Sequence, residues 1–366
     1  MGPDPTTNVD AGDSAGAHTQ PFVSVAMITY NHERYVAQAI ESVLMQETAF
    51  DYEVIIGEDC STDGTRGIVA DYSRKYPGRI RPLLHERNMG LHGMNNFIAT
   101  LKACRGKYVA MLEGDDYWTD SMKLQKQVDF LERNSDFAVC GHWVRNVDTR
   151  GNLLDPQLFT CEDCPEVFGA ERAMGGVPVH LGSCVARLSV LLSVLQRNLD
   201  VFRSLPAGDN PLLLMTLMQG KGCCLQEFMG AYRIQARGVY RSKSELLQRY
   251  DELLFRYSLP HLLGKDLGDS PRGRLDWRIR RGERNMADAI SHCWDVPALL
   301  RLLRVMRASS LIPNSRIPAI LLKVPIAAAN RFAVRLWAVA PRAMRNLIKR
   351  YHSTATARAL QDEGRN

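Results

Sequence analysis

Four short apolar runs, each ending in a polar and mostly acid-rich loop, constrain this chain more than any other feature. They are FVSVAMIT (22–29), YEVIIG (52–57), KYVAMLE (107–113) and FAVCGHWV (137–144). Runs of this length without polar alternation fit strands covered on both faces, as in a parallel sheet. A further strand is expected near 80–84. The intervening segments carry helical spacing instead: Val36, Ala39, Ile40, Val43 and Leu44 share one face, and helices are expected over 65–76 and 93–103. Asp120 reads as the N-cap of a helix reaching Asn134. Repeated strand–helix units predict an α/β fold, a Rossmann-like, mostly parallel sheet with helices on both faces. Ligands of such sheets sit beyond the carboxyl ends of the strands, which directs attention to the loops starting at Tyr30, Glu58, His85 and Glu113. The first strand is not followed by GxGxxG, which argues against a dinucleotide site of the usual kind.

Beyond Gly151 the pattern loosens. A helix is expected near 169–175, a strand over 183–187, a helix from Asp209 to Gly220, two strands within 223–234, and helices from Ser244 onward. Residues 1–20 have almost nothing apolar to bury and read as a disordered tail. The composition is that of a globular protein, with 45% hydrophobic and 23% charged residues and a net charge of +6. The charge is uneven: between Asp295 and Asp362 there are twelve basic residues and no acid. That asymmetry predicts a basic helical C-terminal extension over 241–366 with an anionic partner, either a membrane surface engaged through 296–361 or its own helical bundle with a solvated basic face. No nucleic-acid motif accompanies these basics, so nucleic acid is not expected as a partner. No uninterrupted apolar stretch is long enough for a membrane span. The nine cysteines, with no secretion signal, read as reduced thiols, and the CxxC at Cys161 and Cys164 has no second pair for a zinc site.

Chemistry concentrates in two loops. Glu113, Asp115 and Asp116 follow the fourth expected strand within four residues. Carboxylates crowded together repel one another unless a cation neutralises them, and hard oxygen ligands suit Mn2+ or Mg2+; a solvated acidic turn is the alternative. Glu58, Asp59 and Asp63 follow the second strand. Asp59, leaving the strand directly, is placed to accept from a base N–H, and Asp63 reads as a helix cap.

The stretch from Val23 to Val144 resembles the family-2 glycosyltransferases of GT-A fold. The residues that carry the likeness are VSVAMITYN, EVIIGEDCSTDGT, RNMG (87–90) and YVAMLEGDDYWTDSMKLQKQVDFL. The resemblance implies a catalytic domain over 21–240, with a nucleotide-sugar half (21–150) and an acceptor half (151–240). It implies donor contacts from Thr29, Tyr30, Asn31, Glu58, Asp59, Asn88, Gly90 and Asp115, with Asp59 pairing with the base. It further implies a metal held by Asp116 with help from Asp115, bridging the donor diphosphate. Glu113 and Glu58 stand where the family commonly has Asp.

In the second half, PAGDNPLLLMTLMQGKG (206–222) resembles the family's acid-then-leucines segment, making Asp209 the expected base; Asp before Asn-Pro is also the pattern of an N-cap. GAYRIQ (230–235) resembles the strand ending in YRxH, with Gln235 in place of His and Arg233 a candidate for the diphosphate. His180 stands where acceptor contacts are expected, and a structural histidine is the equal alternative. The function implied is inverting transfer of a sugar from a nucleotide-diphosphate sugar, foremost a UDP-sugar, to the hydroxyl of a saccharide or lipid-linked saccharide in surface-polysaccharide assembly. The expected location is cytoplasmic, peripheral on the inner membrane face. The alternatives are a catalytically silent glycan- or membrane-binding relative and a sugar-phosphate nucleotidyltransferase.

Overall fold

The computed structural model describes residues 20–90, 93–155, 165–174, 176–205, 209–235, 244–263 and 269–292, together with 302, 305–306, 309 and 312–321. The expected strands form: β1 (Val23–Thr29), β2 (Tyr52–Glu58), β3 (Ile80–Leu84), β4 (Tyr108–Glu113) and β6 (Phe137–Val147), with the short β5 (Tyr117–Trp118) between the last two. They join β7 (Val167–Phe168), β8 (Val185–Arg187) and β9 (Lys221–Arg233) in one sheet of order β3-β2-β1-β4-β8-β6-β9-β5, with β7 also on β9. The pairs β1–β2, β1–β4, β2–β3 and β6–β9 are parallel, whereas β8 runs antiparallel between β4 and β6. The fold is mixed α/β with a mostly parallel sheet, as expected from the apolar runs.

Alternate residues of each central strand face opposite layers, as the twofold period of a strand requires. Ala26, Ile55, Val109 and Met111 pack against α3 (Met94–Ala103), α6 (Leu188–Ser204) and α7 (Asp209–Leu217). Val25, Met27, Val54, Ile56, Tyr108 and Ala110 pack against α1 (Val36–Leu44), α2 (Thr65–Lys75) and α4 (Lys123–Arg133). The short α5 (Ala170–Ala173) lies on the first of these faces. A third cluster joins α8 (Glu245–Leu263), α9 (Asp269–His292) and α10 (Arg316–Leu321) around Tyr250, Leu253, Met286, Ile290 and Ile320. There a buried Glu283 takes hydrogen bonds from Tyr257 and Arg316.

Three local expectations are corrected. Asp120 does not cap α4 directly: the helix starts at Lys123 after Met122, and the Asp120 carboxylate accepts from the Met122 N–H two residues on, an Asx-type turn. The two strands expected within 223–234 are one thirteen-residue strand, β9, whose pairing with β6 shifts register near Trp143; these irregularities absorb the polar QE interruption. The helix from Asp209 ends at Leu217, three residues short of Gly220. Cys161, Cys164 and nearly all of the basic segment 296–361 lie outside the described residues. Among those described, no helix is long and apolar enough to cross a membrane.

Candidate active site

Register brings the loops together. Thr29 pairs with Glu58, and Ile28 with Glu113, so β1, β2 and β4 end on one rim. The turn after β4 then folds Tyr117 and Trp118 onto β9 opposite Ala231 and Gly230. This second attachment carries Asp116 inward. Asp116 is buried; its Oδ1 accepts the Arg233 N–H at 2.7 Å, and its Oδ2 is buried with no hydrogen-bond partner.

Ligand-capable atoms of Glu113, Asp116 and His180 lie within 4.8 Å of one another. Burial raises the Glu113 carboxyl to about 8, helped by the charges of Asp115 and Asp209. Burial likewise holds Asp116 well above the carboxylate range, with Asp115 and Glu113 adding to it. An orphaned carboxylate oxygen beside a second carboxylate is the donor set a divalent cation of the Mn2+ or Mg2+ kind takes, so the residues present fit such a metal through Asp116 Oδ2 and Glu113. His180 belongs to the cluster by distance but not by ring chemistry. Its Nδ1 accepts the Gly182 N–H at 3.2 Å, which leaves the ring hydrogen on Nε2, 3.9 Å from Asp116 Oδ2. A nitrogen carrying hydrogen offers a donor, not a lone pair. Burial lowers the His180 pKa to about 4, so the ring stays neutral and presents one N–H to the site.

Asp115 is placed differently from Asp116. Its Oδ2 accepts from Gln235 Nε2 at 2.7 Å and lies 3.8 Å from His32 Nε2. Gln235, standing where the family has His, thus holds Asp115. Arg233 is a buried strut: its Nε donates to Asp115 O, its other nitrogens to Asp148 O and Gln38 Oε1, and its guanidinium sits 4.5 Å from the Tyr35 ring centre. Through its own N–H on Asp116 Oδ1 and its Nε on Asp115 O, Arg233 orients both aspartates.

At β2, Glu58 is fully buried and takes the Ser61 N–H and the Arg66 guanidinium, which shapes the loop. Asp59 is buried, and its Oδ1 accepts the Met89 N–H at 2.7 Å; burial raises its pKa. Asn88 ties the third loop to it through Asp59 O and takes the Gly90 N–H. Gly90 has φ of +72°, a conformation glycine tolerates. Asn31, also at positive φ, accepts from the Thr62 N–H. Thr29 is buried with Oγ1 unpartnered, and Tyr30 is 42% exposed over the same rim. The cap expected at Asp63 is corrected: Gly64 is the N-cap of α2, and the Asp63 carboxylate accepts the Thr65 N–H two residues on and the Glu33 N–H across the loop.

Asp209 opens α7. Burial raises its carboxyl, partly offset by the Asn210 N–H, and its charge acts on Glu113. His32, Gln127 and Lys123 escaped the sequence reading. His32 lies in an ordinary polar loop. Lys123 and Gln127 carried a legible signal, since their spacing puts them on the buried stripe of α4 with Leu124, Val128 and Leu131.

An acidic rim on this strand order leaves one carboxylate oxygen open to a cation. The glycosyl transferase family 2 model matches residues 24–191. A glycosyltransferase of Nostoc sp., itself uncharacterised, is 30% identical over 226 residues, covering 60% of this chain and 67% of that one. The chain belongs to glycosyl transferase family 2. An uncharacterised protein of Mycobacterium tuberculosis is 34% identical over 232 residues, 60% of this chain; the match spans 61% of that relative's own length. TuaG of Bacillus subtilis, named for teichuronic acid biosynthesis, is 37% identical over 150 residues, 39% of this chain and 57% of that one. Among solved structures, S. aureus TarS 1–349 in complex with UDP-GlcNAc superposes with a TM-score of 0.57 at 16% identity, covering 93% of this chain and 92% of that one. The mannosyltransferase PcManGT of Pyrobaculum calidifontis, in complex with GDP-Man and Mn2+, gives 0.50 at 16% identity, covering 86% and 87%. At these identities the structures speak for the fold.

Proposed function

We propose that this chain transfers a sugar, with inversion, from a nucleotide-diphosphate sugar to an acceptor hydroxyl. The reading rests on one observation: ligand-capable oxygens of Glu113 and Asp116 converge at the end of β4, with one Asp116 oxygen buried and unpartnered. Asp209 accepts the acceptor's proton as its oxygen attacks the anomeric carbon and the bond to the diphosphate breaks. A carboxyl raised by burial is a stronger base than an exposed one. Asp116 and Glu113 would hold a divalent cation, which when bound would supply neutralisation of the leaving diphosphate. The neutral His180 Nε2–H presents a donor to the acceptor or to a departing oxygen.

Asp59 supports a uridine donor. With Oδ1 given to Met89 N–H, Oδ2 is left for one incoming donor, which suits the single N3–H of uracil better than the paired N1–H and N2–H of guanine. The likeness to TuaG, named for teichuronic acid biosynthesis, supports a role in polysaccharide assembly, and the acceptor in this reading is a saccharide or lipid-linked saccharide.

The test is thermal unfolding of the wild type and Asp116→Asn with UDP, dTDP and GDP, each with and without Mn2+. A ligand at a hundred times its Kd adds about 2.7 kcal/mol of apparent stability. The expected result is a Mn2+-dependent rise with UDP that the variant lacks. No rise with any nucleotide would overturn the reading in favour of a silent binder.

A further inference from the structure

The turn that carries His180 is held from below by side chains that touch neither rim carboxylate. Leu181–Ser183 form a single 3-10 turn capped by His180 itself. Trp118 Nε1 donates to Gly182 O at 2.9 Å, and Gln127 Nε2 donates to Ser183 O at 2.9 Å. Gln127 also donates to Cys140 O on β6, so one amide fixes the turn and the sheet together. Ser183 Oγ closes the turn on His180 O at 2.7 Å. A side chain at Gly182 would bring a Cβ to 3.2 Å from His180 Nδ1 and 3.7 Å from Asp116 Oδ2, which measures how tightly the turn is pressed against the site.

Beneath the indole lies Lys123, fully buried, with Nζ 3.8 Å from the Trp118 ring centre and no hydrogen-bond partner. An amine buried in this way is unfavourable unless something returns the cost, and the aromatic face is the available return. A core built for stability alone would place an apolar side chain there. Places where a local rule is broken are where function is expected.

We propose that Trp118 and Gln127, backed by Lys123, are positioning residues: they pin the Gly182 and Ser183 carbonyls of the His180 turn so that Gly182 N–H fixes the His180 tautomer and turns its Nε2–H into the site, 3.9 Å from Asp116 Oδ2. The significance for acceptor binding rests on the function proposed above; the positioning itself does not. In a charge-crowded site the difference is consequential, because the other tautomer would turn a lone pair toward the carboxylates.

The experiment is imidazole nitrogen NMR on the full chain carrying 15N-labelled histidine, with His180→Gln to assign the resonance. The wild type is expected to show His180 protonated at Nε2. Trp118→Phe keeps the ring and removes only the indole N–H; Gln127→Met keeps the bulk and removes the amide. Each should lower the ratio of the two tautomers by about five- to tenfold, the weight of one hydrogen bond. Thermal response to UDP with Mn2+ should survive in both. An unchanged tautomer ratio in a folded variant would overturn the proposal, since a role in packing alone lowers the melting temperature without moving this signature. If Trp118→Phe does not fold, Gln127→Met decides alone. No UDP response in the wild type would remove the functional reading and leave the tautomer result standing.

Discussion

Replacing Lys123 with methionine should make the protein more stable, and most so at acidic pH. Burial lowers the Lys123 pKa from 10.5 to about 7, with Cys184 and Cys140 opposing weakly. The unfolded chain therefore binds more protons than the folded one between pH 7 and 10.5, and stability rises with pH across that window. At about 1.4 kcal/mol per pH unit, the depression from 10.5 to about 7 costs about 5 kcal/mol at pH 6. The desolvated contact with the Trp118 face returns about 2. At pH 9 the folded amine is neutral and the remaining cost is about 2 kcal/mol. Methionine matches the length of lysine and carries no charge, so Lys123→Met should gain about 3 to 5 kcal/mol at pH 6 and about 2 at pH 9. Urea unfolding at pH 6, 7.5 and 9, read as midpoints at constant slope, measures this. A variant less stable than wild type at pH 6, or a gain that does not shrink toward pH 9, would refute the reasoning.

Asp209→Asn should lower turnover by about 10²- to 10⁴-fold while leaving the UDP–Mn2+ thermal response intact; loss of both would mean that Asp209 supports the donor site. Gly57→Ala places a Cβ 2.1 Å from Thr100 Oγ1 and 2.2 Å from Asn96 Oδ1, inside a bonded pair that also holds Gly57 O; urea unfolding should show a loss of about 2 kcal/mol or more. At the far rim, burial raises Glu53, but hydrogen bonds from Arg105 and Ser24 outweigh it and hold its pKa below 4.5. Its contribution is present above pH 4.5 and lost as pH falls through the depressed value. Arg105→Gln should therefore begin acid unfolding at a higher pH than wild type in a circular-dichroism titration.

The central strands were legible because burial on both faces leaves a short apolar run, and their length and polar flanks set them apart from a buried helix. Their loops were legible because a strand's carboxyl end puts consecutive polar residues on one rim. What the sequence concealed was assigned by partners far along the chain. Glu58 and Asp59 look alike as neighbouring acids, yet one is consumed by Ser61 and Arg66 and the other keeps an open oxygen. Arg233 reads as a free cation until Asp115, Asp148 and Gln38 close around it. Strand β8 is three residues long, too short for periodicity to orient it, so its antiparallel insertion came from the structure alone.

The Arg233 N–H that grips Asp116 has a practical corollary for anyone recombining this family. The Asp116 carboxylate takes its orientation from β9, more than a hundred residues later in the sequence. A chimera joined near residue 150, where the composition changes, would import a foreign strand to orient a native aspartate. The 115–118 turn and the strand it leans on therefore have to travel together.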